Sequence, residues 1–325
     1  MSMLTDRPIF GPLEKISMPL AAEYQARFEA LAQAGPMPSL SDLPIQDARA
    51  VYRAIRPVDP SLPVFNVEDR SIPGPAGDMP IRIYRPAGAG PFGILLYFHG
   101  GGWVIGDLDT SDSVCRELST LASLVVVSVD YRLAPEHRFP AAVDDSYAAT
   151  CWVAKHQAEL NGNGKLGTAG ESAGGNLATV MALLARDRQG PTLAHQCLLY
   201  PVVDSDLSRP SYVDNAQGYI LETATMQWFW DTYCPASDQR QDPRLAPLHA
   251  ESLAGLPPAL VVTAEFDPLR DEGTVYGAAL EAAGVATQHI NCSGLVHDFF
   301  ATAAIFDCSR GPFLKTVDIL RKHLN

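Results

Sequence analysis

The stretch Lys165-Leu-Gly-Thr-Ala-Gly-Glu-Ser-Ala-Gly-Gly-Asn176 decides how the chain is read. It spells the end of a strand, a turn too tight for side chains, and the start of a helix. The helix reads from about Ala173 to Arg186 and is rich in Ala and Leu, both strong helix formers. Within the stretch, Gly170-Glu171-Ser172-Ala173-Gly174 sets a serine on a strained strand-to-helix turn, its hydroxyl raised above a sheet. A Cβ at Gly170 or Gly174 would strike the neighbouring strand or helix. Free N–H groups in the helix's first turn would face any negative charge that develops beside Ser172. The same five residues also spell an ordinary glycine-rich turn, so the surrounding chain has to decide.

Strands and helices alternate on both sides of that turn. Ile94–Phe98 is an apolar strand that ends in His99-Gly100-Gly101-Gly102-Trp103. Three consecutive glycines cost backbone entropy, but they let N–H groups turn toward a ligand unobstructed, with Trp103 as an apolar wall. Leu124–Asp130 is a continuous apolar strand of the kind buried on both faces of a parallel sheet. Further strands are expected at 63–67, 79–84, 196–200, 258–263 and 286–290, the first two short enough to supply an antiparallel edge. Helices are expected over 108–122, from Pro140 to about His156, from about 273 to 283, and over 313–324. Gly88-Ala-Gly90-Pro-Phe-Gly93 matches a dinucleotide fingerprint by spelling, but a strand follows where that motif needs a helix, so it is rejected. Asp130, Arg132, Glu136 and Asp144 read as a structural set of ion pairs and hydrogen bonds.

Two segments stand outside the alternation. Residues 14–56 carry two helical patterns separated by Gly35-Pro-Met-Pro-Ser39, with Tyr24, Phe28 and Leu31 on one face and Ala48, Val51, Tyr52 and Ile55 on another. Residues 201–245 hold turns and one aromatic helix, Met226-Gln-Trp228-Phe-Trp230-Asp-Thr-Tyr233. Either segment could be packing or a lid.

Composition narrows the class. The 325 residues are 47% hydrophobic and 19% charged, ordinary for a soluble enzyme. With 24 Lys and Arg against 37 Asp and Glu, the formal charge is −13, which argues against nucleic acid or an anionic membrane as partner. No signal-like or membrane-spanning run is read, and six scattered cysteines without metal spacing fit a reduced, cytoplasmic setting. No metal or cofactor is expected.

A mostly parallel sheet covered on both faces binds ligands at the carboxyl ends of its strands. Gly100–Gly102, Ser172, Asp267 and His297 all fall just after expected strands. Serine needs a base within hydrogen-bond reach, and histidine needs a carboxylate to fix its tautomer. Of eight histidines, only His297 lies in the loop after the last expected strand. For the acid, Asp267 leads, with Glu265 and Asp271 as near alternatives.

The joint set His99-Gly-Gly-Gly-Trp103, Asp130-Tyr-Arg-Leu-Ala-Pro-Glu136, Gly170-Glu-Ser-Ala-Gly-Gly175, Asp267-Pro-Leu-Arg-Asp-Glu-Gly273 and His297 resembles the bacterial hormone-sensitive-lipase-like (family IV) esterases. The likeness runs from Leu31-Ala-Gln-Ala-Gly35 to His297. It implies an α/β-hydrolase fold: a mostly parallel eight-stranded sheet flanked by helices, with a helical cap. The cap would comprise 1–55 and 203–243, and the core 56–202 and 244–325. It further implies a cofactor-free hydrolase of short- to medium-chain carboxylic esters, and by analogy a homodimer. Ser172 would be nucleophile, His297 general base and then acid, Asp267 the orienting acid, and the N–H groups of Gly101, Gly102 and Ala173 the oxyanion hole. One departure is Glu171, where this family often has Asp or Thr. An amidase or formamidase would share every one of these residues. A non-catalytic receptor on the same fold would be expected to lack part of the triad.

Overall fold

The computed structural model describes residues 19–35 and 39–325. Parts of the expected first segment, 1–18 and 36–38, lie outside the described residues. Eight strands form one sheet in the order β1-β2-β4-β3-β5-β6-β7-β8. They are β1 (Asn66–Gly74), β2 (Gly77–Arg85), β3 (Phe92–Phe98), β4 (Val125–Val129), β5 (Gly162–Glu171), β6 (His195–Leu199), β7 (Ala259–Phe266) and β8 (Thr287–Val296). Pairs β1·β2 and β2·β4 are antiparallel and every later pair is parallel.

The first strand is longer than its sequence suggests and starts later than expected. Pro73 marks a boundary in sequence because it cannot donate to a ladder, yet β1 pairs with β2 alone, and an edge strand tolerates proline on its open side. Gly93 lies inside β3, which agrees with rejecting the dinucleotide motif.

The helices are α1 (Ala22–Ala34), α2 (Ile45–Ala54), α3 (Asp112–Ala122), α4 (Ala141–Lys155), α5 (Ala173–Asp187), α6 (Pro210–Asp214), α7 (Thr223–Tyr233), α8 (Arg270–Ala282) and α9 (Asp307–Leu324). One core, with Val143, Leu177, Met181 and Leu280, joins α4, α5 and α8 to one face of the sheet. A second, with Val114, Leu118, Phe313 and Leu320, joins α3 and α9 to the other. All of Val125–Val129 is buried between them. Burying each such valine fully stabilises the fold by about 1.5–3 kcal/mol. Cores on both faces leave the ends of the strands as the place for chemistry. Helices α1, α2, α6 and α7 take no part in the alternation and lie over loops at the carboxyl ends. Arg49 of α2 donates to Val104 O (2.9 Å) after β3, and Ala21 N donates to Gly294 O (2.9 Å) in β8.

Candidate active site

Ser172 joins β5 to α5 with φ 56° and ψ −119°, a strained positive-φ conformation as expected of a serine pushed out of line. The flanking glycines have the reason anticipated. A Cβ on Gly174 would sit 2.0 Å from Phe98 O of β3, and one on Gly170 would sit 2.3 Å from the Gly174 carbonyl carbon. Ser172 N donates to Leu199 O (2.9 Å) and Ser172 O accepts from Val202 N (3.2 Å), which pins the turn to β6 and the loop after it.

Asp267 follows β7 and His297 follows β8 directly. The Nδ1–H of His297 donates to Asp267 Oδ2 at 2.8 Å, which leaves Nε2 with the free lone pair a base needs. Asp267 is fully buried, and its other oxygen accepts from Leu269 N (2.9 Å), so the carboxylate cannot swing away. The two alternative acids are committed elsewhere. Glu265 accepts from Gly294 N (2.8 Å), and Asp271 pairs with Arg270 and accepts from Ser211 N (2.8 Å). Tyr200 connects the histidine side to the serine side. Its ring meets the His297 ring edge-on at 4.7 Å, and its hydroxyl donates to Glu171 Oε2 at 3.1 Å. Ser172 and His297 are each only 7% exposed.

The glycine loop turns where its glycines allow it. Gly101 has φ +109° and Gly102 φ +59°, and Trp103 continues at φ 60°. Gly101 O accepts from the N–H groups of Val104 and Ile105, both at 3.0 Å. Among the described residues, the N–H groups of Gly101 and Gly102 donate to no protein acceptor. The N–H of Ala173 opens α5 and is free by geometry. The arrangement fits a binding place for a developing oxyanion.

Trp103 corrects an expectation. Its indole has no exposed surface and stacks on Tyr233 at 4.6 Å and against Trp230 at 5.1 Å. The side chain fastens the glycine loop to α7 instead of standing as an open wall. Of the set Asp130, Arg132, Glu136 and Asp144, Arg132 and Glu136 do serve in structural ion pairs, but with partners outside the set. Arg132 grips Asp145 through N, Nε and Nη2, and Glu136 pairs with Arg49.

The other histidines have other work. The His99 ring stacks on Tyr131 at 4.2 Å and donates to Gly100 O, and His289 meets Thr263 Oγ1 at 3.0 Å. His249 does contact a carboxylate, Asp204, at 2.9 Å, so a His–Asp pair alone does not mark the site; the elbow serine does. His195 is buried against His323 with both ring nitrogens unpartnered, and that burial pushes its imidazole down to about 3. The unfolded chain binds a proton there below about pH 6.5 while the folded chain does not. Stability is therefore complete above that pH and falls by about 1.4 kcal/mol per unit below it. His195→Phe is expected to remove about 2 kcal/mol of the acid loss between about pH 6.5 and 5. Urea unfolding at the two pH values checks this, and equal losses in both proteins overturn it.

Several functional neighbours were not read from sequence. Fully buried Glu272 accepts from Val203 N (2.7 Å) and the Tyr212 hydroxyl (3.0 Å), tying the loop after β6 and α6 to α8. Burial pushes its carboxyl up to about 8. Arg56 and Asp298 meet beside Glu171. Asp298 stood next to His297 in the chain, but nothing in the spacing singled out Arg56.

A cavity of about 900 Å³ opens beside this cluster, lined by α1, α2, the approach to α7 and the segment after His297. Phe28, Leu40, Val51, Tyr219 and Ile305 give it apolar walls, and Arg56 and Asp298 lie at the end toward the site. Neither this cavity nor another of about 660 Å³, along α5 near Arg186 and Glu251, is lined by Ser172, Asp267, His297 or the glycine loop; the larger one reaches only their neighbours Arg56 and Asp298.

Comparison with known proteins gives concordant results. Residues 95–301, well over half the chain, match a family described as alpha/beta hydrolase fold. A carboxylic ester hydrolase, LipN, of Mycobacterium tuberculosis is 44% identical over 286 residues, covering 86% of this chain and 76% of that protein. An ethyl acetate hydrolase of Pseudomonas putida is 40% identical over 252 residues, covering 76% of this chain and 79% of its own. The solved structure of a thermostable esterase from Pseudomonas putida superposes with a TM-score of 0.90 at 40% identity, covering 95% of this chain and 99% of the other.

Proposed function

The chain belongs to the hormone-sensitive-lipase-like (family IV) carboxylesterases of the α/β-hydrolase fold, and on that premise we propose that it hydrolyses short- to medium-chain acyl esters through Ser172, His297 and Asp267. The observation that carries this reading is the 2.8 Å bond between His297 Nδ1 and Asp267, held on the sheet rim where Ser172 stands out of line. Ser172 Oγ attacks the ester carbonyl while His297 Nε2 takes its proton. The tetrahedral oxyanion rests on the N–H groups of Gly101, Gly102 and Ala173. The imidazolium returns its proton to the leaving alcohol, and an acyl-enzyme remains. Water, deprotonated by the same histidine, then attacks the acyl carbonyl; the bond to Ser172 Oγ breaks, the imidazolium returns the proton to that oxygen, and the acid leaves.

In this reading the described residues 19–35 and 39–55, with 203–243, form the cap, and 56–202 with 244–325 form the core. The ester then approaches by way of the 900 Å³ cavity, whose lining includes Arg56 and Asp298 beside the triad and apolar walls from Phe28, Val51 and Tyr219. The test is an acyl-length series of aryl esters, with a matched amide alongside. Rates are expected to peak at short chains and to exceed those of the amide. Equal or faster hydrolysis of long-chain emulsified triglycerides would contradict the preference for short chains, and faster hydrolysis of the amide would make the protein an amidase.

A further inference from the structure

We infer that Arg56 is a positioning residue that holds the nucleophile turn and the histidine loop in register, an inference that rests on the esterase reading above. Arg56 lies just past the end of α2, with its side chain only 7% exposed. Its Nη1 donates to Glu171 Oε1 at 3.1 Å, one residue before Ser172. Its Nη2 donates to Asp298 Oδ1, one residue after His297. One guanidinium thus joins the immediate neighbours of the attacking atom and of the base. Those neighbours stand 115 and 242 positions away in the chain.

Both joined residues are mechanically placed to matter. Asp298 has φ 72° and ψ 15°, a left-handed turn that sets the direction in which the chain leaves the histidine. Glu171 is fully buried, and beside Arg56 its only other side-chain partner among the described residues is the Tyr200 hydroxyl. A buried carboxylate stripped of its cation would move or take up a proton, and the elbow would shift with it. The guanidinium also stacks over Tyr52 of α2 at 4.5 Å, so α2 helps to fix its position.

The rest of α2 supports the same part. Arg49, Arg53 and Arg56 are spaced by four and three residues, which puts them on one side of the helix and its extension. Arg49 reaches Val104 O at the end of the glycine loop, and Arg53 pairs with Asp107 just beyond it. The helix therefore touches the oxyanion loop, the nucleophile turn and the histidine loop through three cations. Of these, Arg56 alone bridges the nucleophile and the base.

The experiment compares Arg56→Met, Arg56→Lys and Glu171→Gln with the wild type on a short-chain aryl ester, with Ser172→Ala as the inactive control. Misplacing catalytic groups by about 1 Å can cost as much as 100-fold, so Arg56→Met is expected to lower kcat roughly 10- to 100-fold with KM nearly unchanged. Arg56→Lys keeps the charge but cannot span both carboxylates, and is expected to fall between. Millimolar guanidinium chloride, entering from the cavity that Arg56 lines, is expected to restore part of the Arg56→Met kcat and none of Ser172→Ala. Glu171→Gln keeps the shape of the cluster, so it reports on the bridge even where Arg56→Met folds poorly; a several-fold loss in kcat is expected. The inference is overturned if Arg56→Met and Glu171→Gln both keep wild-type kcat per folded molecule. It is also overturned if the loss appears wholly in KM, or if guanidinium restores nothing. A wild-type protein inactive on esters would instead sink the underlying esterase reading.

Discussion

Ser172→Ala is expected to lower kcat on a short-chain aryl ester by about 10⁶-fold, and His297→Ala to lower it nearly as far. The double variant should be no worse than either single one, because the hydroxyl and the imidazole act as a unit: without the base the serine is a poor nucleophile, and without the serine the base has nothing to activate. The structure argues that neither change unfolds the protein. Ser172 is tied to β6 through its backbone N–H and C=O, which alanine keeps. Alanine takes up φ 56° with the same Cβ strain that serine already carries, and thermal melting before rates are compared checks that folding is unchanged. Labelling by a fluorophosphonate should disappear in Ser172→Ala. Losses that add across the two sites, or more than about a hundredth of wild-type activity left in Ser172→Ala, would assign the chemistry to other residues.

The parts of this site legible in sequence are those whose chemistry and chain position coincide. Ser172, Asp267 and His297 each follow a strand directly, and a parallel sheet brings such positions to one rim whatever the intervening loops do. The glycines were legible because a missing Cβ is itself a statement about close approach, here to Phe98 O and the Gly174 carbonyl. What stayed hidden depends on helix phase and on contacts between distant segments. Asp144 and Asp145 are adjacent, and only the orientation of α4 gives the second to Arg132. Trp103 looks like a pocket wall in sequence because nothing there reveals that Trp230 and Tyr233 cover it. Arg56 is one arginine among several on an amphipathic segment, and its partners come from two other regions of the chain. The end of β1 was missed for a simpler reason: Pro73 is a breaker inside a sheet and tolerable at its edge, and edge position is a tertiary fact.

Gly102→Ala tests the junction where loop and cap meet, and it is expected to lower kcat by about 10²- to 10³-fold while leaving a folded protein. Two causes act together. At φ +59° an alanine costs about 1–2 kcal/mol that glycine does not. The larger cause is contact: a Cβ there would lie 2.1 Å from Phe229 Cγ and 2.2 and 2.4 Å from the two neighbouring ring carbons. Those distances place the new carbon inside the ring, so α7 or the glycine loop has to move. The loop is held from below by Val104 N–H, Ile105 N–H and the stacked Trp103. The ring is held by a helix whose Phe229 is 5% exposed. Whichever yields, the N–H of residue 102 leaves the place where an oxyanion would form. Phe229→Ala removes the obstacle but is expected to cost about 3–5 kcal/mol of stability by itself, so rates are compared well below its melting temperature. In the double variant the contact is gone and only the backbone cost remains, so kcat should recover to within about tenfold of Phe229→Ala alone. If Gly102→Ala keeps its activity, the oxyanion does not sit on this loop. If the double variant recovers nothing, the damage lies in the backbone and not in the meeting of loop and cap.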